Sequence, residues 1–344
     1  MVVSLAEAKN NTNDEFDATV IDEFRKESVI MDALIFDDAV NPSGGGATLD
    51  YGYRRLITQP TAATRAINSE YVASEVQTQK YTATLAVMGG RFSVDRVTAR
   101  LGAAASGAVS LNLSQKIKAT VTKFQDLVIN GDTGTDANAF DGLNKALTGS
   151  TTEYLPLNNG VSTGYLDWTD FDTDQRAVFK ALDRLDEFLS LLDGSPSVLF
   201  GNATLMGRVR AIVRRSGLYV RDAVDGLIGP GGRPVIRESY GGVLFADPGN
   251  IAGANTPIIP NVTRDPDGGG AGGNITNLTD LYAVRIGMDG FHGVTTMDGQ
   301  MVKAWLPDFT KTGAVKDGEV ELGPVGVALK ATKSAAVLRN IKVK

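Results

Sequence analysis

Residues 80–88 constrain this chain most. Tyr81, Ala83, Leu85 and Val87 alternate with Thr82, Thr84 and Ala86, the period of an extended strand with two distinct faces. Further strands are expected near 51–58 and 70–77, with a polar, Thr-rich turn around 60–69. Two long strands joined in this way form a ribbon with little core beneath it. An isolated hairpin is marginal in water, so the ribbon needs a partner surface. Tyr51, Tyr53, Tyr81, Leu85 and Val87 are expected to supply the contact, on an adjacent copy of the chain and not on its own core. An ordinary half-buried sheet strand is the competing reading of the same alternation.

After Gly89–Gly90 the period changes from two to that of a helix. Leu113, Ile117, Val121, Phe124 and Val128 recur at steps of four, four, three and four, which predicts one long helix over about 109–129 with a single apolar face. That face is expected to pack against strands at 281–286 and 300–305. Asn130-Gly131-Asp132 ends the helix, with Gly131 suited to a left-handed C-terminal position. Downstream, a helix from about 174 carries Val178, Leu182, Leu185, Leu189 and Leu192. A short strand at 198–200 follows, and Asn202 caps a third helix bearing Met206, Val209 and Ile212. This helix, strand and helix make a compact α/β unit, which pieces at 233–238 and 242–246 extend. A Gly-, Pro- and Asn-rich excursion fills 247–277, and strand character returns at 281–286, 300–305, 325–330 and 336–343.

The first residues, 1–14, are polar and read as a flexible lead-in; Phe16, Val20, Ile21 and Phe24 then share one helical face. That amphipathic arm buries its face only against another surface, so Phe16, Val20 and Phe24 join the expected intersubunit contacts. The start has neither the basic residues nor the apolar run of a signal peptide, and Leu101–Gln115 is too short and polar to cross a bilayer. Net charge is −6, unevenly spread: residues 1–40 hold ten acidic and three basic side chains, whereas 323–344 hold Lys330, Lys333, Arg339, Lys342 and Lys344 with no acid. The two ends either meet across subunits or are both solvated.

The side-chain inventory offers no active site. Cysteine is absent, which excludes disulfides and thiolate chemistry, and the lone His292, expected in a surface or loop setting, rules out multi-histidine metal sites. Asp167, Asp170, Asp172 and Asp174 lack the glycine and terminal glutamate of a calcium loop, and read better as helix-start caps. The glycine runs at 229–232 and 268–273 lack the Lys-Ser/Thr of a phosphate loop. No cofactor or metal is expected. Arg208, Arg210, Arg214 and Arg215 cluster on the third helix without any DNA-reading frame around them. Arg214 and Arg215 are expected at an intersubunit contact in preference to phosphate.

The order of these elements resembles the HK97-fold major capsid proteins of tailed bacteriophages. The resemblance runs over nearly the whole chain: the arm, the extended loop, the long helix ending in LVINGD at 127–132, and FDGL at 140–143. It continues through GSPSVLFGNATLMGRVRAI at 194–212, the LYAVRIGMDGFHG segment and the closing VGVALKATKSAAVLRNIKV. It implies an α+β capsid fold with an N-terminal arm (1–43), a β-hairpin E-loop (44–90) and a peripheral domain built on the spine helix (91–131 plus 278–322). An axial α/β domain (132–277 plus 323–344) completes it. It also implies a homo-oligomer of hexamers and pentamers in a closed shell that is assembled in the host cytoplasm. The shell would enclose double-stranded DNA through non-specific contact, with a separate scaffolding protein, a portal and a decoration protein as partners. No catalytic or crosslinking residue carries over. The alternatives are an encapsulin-like compartment holding protein cargo and, from another class, a soluble α/β hydrolase using the Asp167–Asp174 carboxylates.

Overall fold

In the computed structural model, the described residues are 29–39, 48–100, 107–171, 175–216, 220–228, 234–240, 243–267, 273–296 and 302–344. The expected arm contacts Phe16, Val20 and Phe24 lie outside them. In the first third, α1 (Val29–Ala33) and β1 (Phe36–Asp38) precede the long strands β2 (Asp50–Thr58), β3 (Gln77–Thr84) and β4 (Ala86–Asp95). The middle holds α2 (Ala108–Asn130), α3 (Leu143–Leu147), β5 (Glu153–Tyr154), β6 (Leu166–Asp167), α4 (Gln175–Leu189), β7 (Val198–Phe200) and α5 (Ala203–Arg215). Strands β8 (Val220–Ile228), β9 (Pro234–Tyr240), β10 (Val243–Ala246), β11 (Val262–Arg264) and β12 (Ile275–Val284) follow. The chain closes with β13 (Phe291–Thr295), β14 (Val302–Trp305), β15 (Val315–Leu329) and β16 (Ala335–Lys342).

These strands form a nine-stranded sheet, a five-stranded sheet and the two-stranded ribbon β2–β3. In the nine-stranded sheet the central path is β16-β12-β7-β10. Its apolar strands are buried on both faces, as their unbroken hydrophobic runs require. Leu199, Leu281, Ala283, Ala336 and Leu338 point toward α4 and α5. Their neighbours Val198, Phe200, Tyr282, Val284 and Val337 point into a second core shared with α2 and α3. Asn202 caps α5, accepting the Leu205 N–H at 2.8 Å as the sequence predicts.

The five-stranded sheet is organised by β15, which pairs antiparallel with β4, β13 and β14. Here the expected partition fails in two places. Residues 281–284 belong to β12 in the nine-stranded sheet and not with the other strands of 278–322. Residues 323–329 complete β15 and so stay in the five-stranded sheet. The chain changes sheets near 285–290 and again near 330–334. The expected strand at 70–77 is also absent, since 59–76 is loop and β3 begins at Gln77.

Helix α2 crosses both sheets' territory, which explains an uneven apolar face. Phe124 and Val128 are fully buried where α2, α3 and the two sheets converge. Leu113, Ile117 and Val121 are only half-buried, because the N-terminal half of the helix lies over β4, β15 and the turn at Thr98–Arg100, outside the main core. The strands that support α2 are therefore β4 and β15, in place of the expected 281–286 and 300–305. Gly131 is required for a reason other than the one expected. Its φ is −57°, not left-handed, and an added Cβ would lie 2.3 Å from the Phe140 carbonyl oxygen and 2.4 Å from that of Leu127. Gly142, whose N–H donates to the Gly131 carbonyl at 2.8 Å, is equally crowded. FDGL and NGD are thus two sides of one backbone crossing.

Candidate functional site

The ribbon and its loop carry a group of exposed apolar side chains. β2 and β3 pair from Asp50–Thr84 to Thr58–Gln77. On the face turned to the body, Tyr53 stacks on Tyr81 at 5.9 Å between ring centroids, and the Arg55 guanidinium lies 4.4 Å from the Tyr81 ring. Arg55 also donates to the carbonyls of Leu329 and Lys330 at the end of β15. Tyr51 donates to Asp37 at 2.7 Å, and burial together with that carboxylate pushes its phenol pKa up.

This geometry corrects part of the expected contact set. Leu85 is buried in its own chain, with Ala39, Val294 and Ala328, and Tyr51 and Tyr53 pack against that small cluster. Tyr81 is half-buried beside them, so of the five ribbon residues only Val87 faces solvent, at 54% exposure. The foot of the ribbon is fastened to its own body, and its outer reach is free. There Leu56, Ile57 and Val76 are exposed, and Ile67 and Val72 are 90% exposed. Apolar side chains grouped in this way mark a surface that associates. A second exposed group, Trp305, Leu306, Phe309, Val97 and Val315, lies toward the end of the five-stranded sheet where β4 and β15 finish pairing. Sequence reasoning missed both groups, because Ile67 sits in the polar, Thr-rich turn and Val72 and Trp305 read as ordinary strand residues.

The charged candidates resolve mostly into intrachain partners. Arg339, only 8% exposed, holds Glu153 at 2.9 Å and Asp280 at 3.1 Å and donates to Asn144 and Thr148. Asp280 also binds Arg264. Lys330 reaches Asp37 at 3.8 Å, and Lys342 reaches Asp167 at 3.7 Å. Three of the five basic residues near the C-terminus are thus paired within the chain. On α5, Arg208 donates to the Val343 carbonyl and Arg215 lies over the Phe171 ring, while Arg214 is exposed.

Nor do the carboxylates gather. Asp167 accepts from the Thr169 N–H and hydroxyl in a local turn and caps no helix; Asp172 and Asp174 lie outside the described residues. No cluster of three potential metal ligands occurs among the described residues, and no helix among them is long and apolar enough to cross a membrane. His292, expected at the surface or in a loop, is instead fully buried in β13, where strand alternation turns it toward the ribbon's foot.

Solved structures match from end to end. A Mycobacterium phage Adephagia structure aligns with a TM-score of 0.56 over 99% of this chain and 99% of its own, at 14% identity. The capsid of Myoviridae phage XM1 aligns at 0.54 over 97% and 98%, at 10% identity. This chain has the fold of HK97-like phage capsid proteins. The SrpI encapsulin of Synechococcus elongatus PCC 7942 shares that capsid fold, with a TM-score of 0.59 over 100% of this chain and 98% of its own, at 14% identity. No protein-family model and no curated protein matches the sequence.

Proposed function

We propose that this chain is a major capsid subunit that assembles with copies of itself, as hexamers and pentamers, into a closed shell around phage double-stranded DNA. The observation that carries the reading is the end-to-end correspondence with capsid chains. The uncovered ribbon supports it, since a projection with Ile67 and Val72 in water gains its stability from neighbours. Closure by symmetry satisfies such heterologous contacts without leaving an open filament. The five-stranded sheet with α2 serves as the peripheral domain and the nine-stranded sheet with α4 and α5 as the axial domain. The field of a subunit carrying −6 opposes phosphate, so DNA is held by enclosure without sequence reading. A separate scaffolding protein, a portal and a decoration protein are the partners such a shell uses.

Electron microscopy of the expressed protein with its scaffold tests the reading: closed shells are expected, and small soluble species alone would overturn it. The match to SrpI favours one second reading, a compartment around protein cargo. The contents of purified particles separate the two, because nuclease-protected DNA supports the capsid and a co-purifying enzyme the compartment.

A further inference from the structure

The foot of the ribbon rests on an ionisable side chain. β13 sends Phe291 into the main core and turns His292 and Val294 to the opposite face, where Tyr51, Leu85 and Ala328 cover them. His292 is fully buried, and the Tyr51 ring meets it edge-on at 5.7 Å. Neither ring nitrogen has a hydrogen-bond partner of good geometry. The charged groups around it come from three elements. Asp37 lies on β1, Lys330 follows β15 with its N–H on the Gly290 carbonyl, and Arg55 reaches in from β2 to the Leu329 and Lys330 carbonyls. In the turn before β13, Asp289 pairs with Arg285 at 3.0 Å.

We propose that His292 is a proton-operated release for the ribbon: neutral, it lets the foot seal against the five-stranded sheet, and protonated, it opens that contact. A buried imidazole without a well-placed acceptor cannot carry a charge cheaply. Burial is the main cause that lowers its pKa, the Lys330 ammonium adds to it, and Asp37 and the Gly290 backbone oppose it. Lifting the foot returns His292 to water and to an ordinary pKa of about 6.5. The sign follows. The lowered pKa of the sealed state means that attachment is complete above about pH 6.5 and weakens as pH falls toward that lower value, by up to about tenfold per pH unit for one proton. Asp37, which accepts from Tyr51 and faces Lys330 in the same seal, works against the coupling, because its charge favours the protonated imidazole.

The inference concerns the single subunit and stands whether or not the capsid reading does. Two properties of the sequence make it testable: one histidine and no cysteine. Ser69→Cys in the ribbon loop and Ser190→Cys after α4 take a donor and acceptor dye on the full chain, kept unassembled by dilution. Transfer efficiency is expected to hold constant from pH 8 to 7 and to fall below about 6.5, and His292→Phe is expected to remove the fall. Asp37→Asn should retain it. A flat wild-type profile, an unchanged fall in His292→Phe, or its loss in Asp37→Asn would each overturn the proposal. Should His292→Phe not fold, the native chain decides alone. Its single histidine Cε1–H resonance should titrate below 6.5 and move up toward that value in Tyr51→Ala, whereas a midpoint at or above 6.5 in the native chain refutes the release.

Discussion

The nine-stranded sheet and the ribbon use the same strand residues to opposite ends. Along the centre of β7, β12 and β16 the apolar side chains pack into the two main cores, and Leu199, Leu281 and Val337 are wholly buried. In β2–β3 and the loop between them, one face is tied to the body at Tyr51, Tyr53 and Arg55, while Ile57, Ile67 and Val72 are exposed. The central strands of the first region are covered within one chain. The second is stable at its root and incomplete at its reach, as expected of a part that a neighbour completes.

Removing residues 52–82 makes the sharpest attack on that contrast. Assembly should be lost altogether, while the nine-stranded sheet keeps its circular dichroism and cooperative melting; collapse of the whole subunit would erase the distinction between the regions. The next largest effect lies at the convergence of the two sheets. Phe124→Ala should cost about 3–5 kcal/mol in denaturant unfolding, and Ile117→Ala, half-buried over β4 and β15, clearly less. Equal losses would mean that α2 is uniformly covered.

Gly142→Ala should destabilise by about 1–3 kcal/mol, because a Cβ there meets three backbone atoms within 2.9 Å, among them the Leu127 carbonyl oxygen. The smallest effects on folding belong to the uncovered surface. Ile67→Ser with Val72→Ser, and separately Arg214→Glu, should change subunit stability by no more than about 0.5 kcal/mol each. The ribbon pair is nonetheless expected to lower shell yield in light scattering. The arginine variant is expected to do so in empty-shell assembly, whereas a defect confined to DNA filling would place Arg214 against phosphate.

Periodicity carried much of this fold. The step pattern through Val128 located α2 within a residue or two, and the apolar triplet 198–200 and Asn202 placed β7 and the start of α5. It failed where partners are distant in sequence. Alternation shows that Leu85 has a buried face but not whose core buries it, and nothing in residues 281–286 distinguishes one sheet from the other. His292 is the clearest instance. GMDGFHGV reads as a glycine-rich turn, yet its second half is a strand sealed by a tyrosine 241 positions earlier.

β15 has a mechanical consequence. Fifteen residues long, it is laddered to β4 over most of its length, and β4 follows β3 after the single residue Leu85. A pull along the ribbon therefore loads the β4–β15 ladder lengthwise, so that its bonds must yield together and not unzip singly. Tension raised at a neighbour's grip would be carried as shear into the body of the subunit, and the weakest link would be the grip itself.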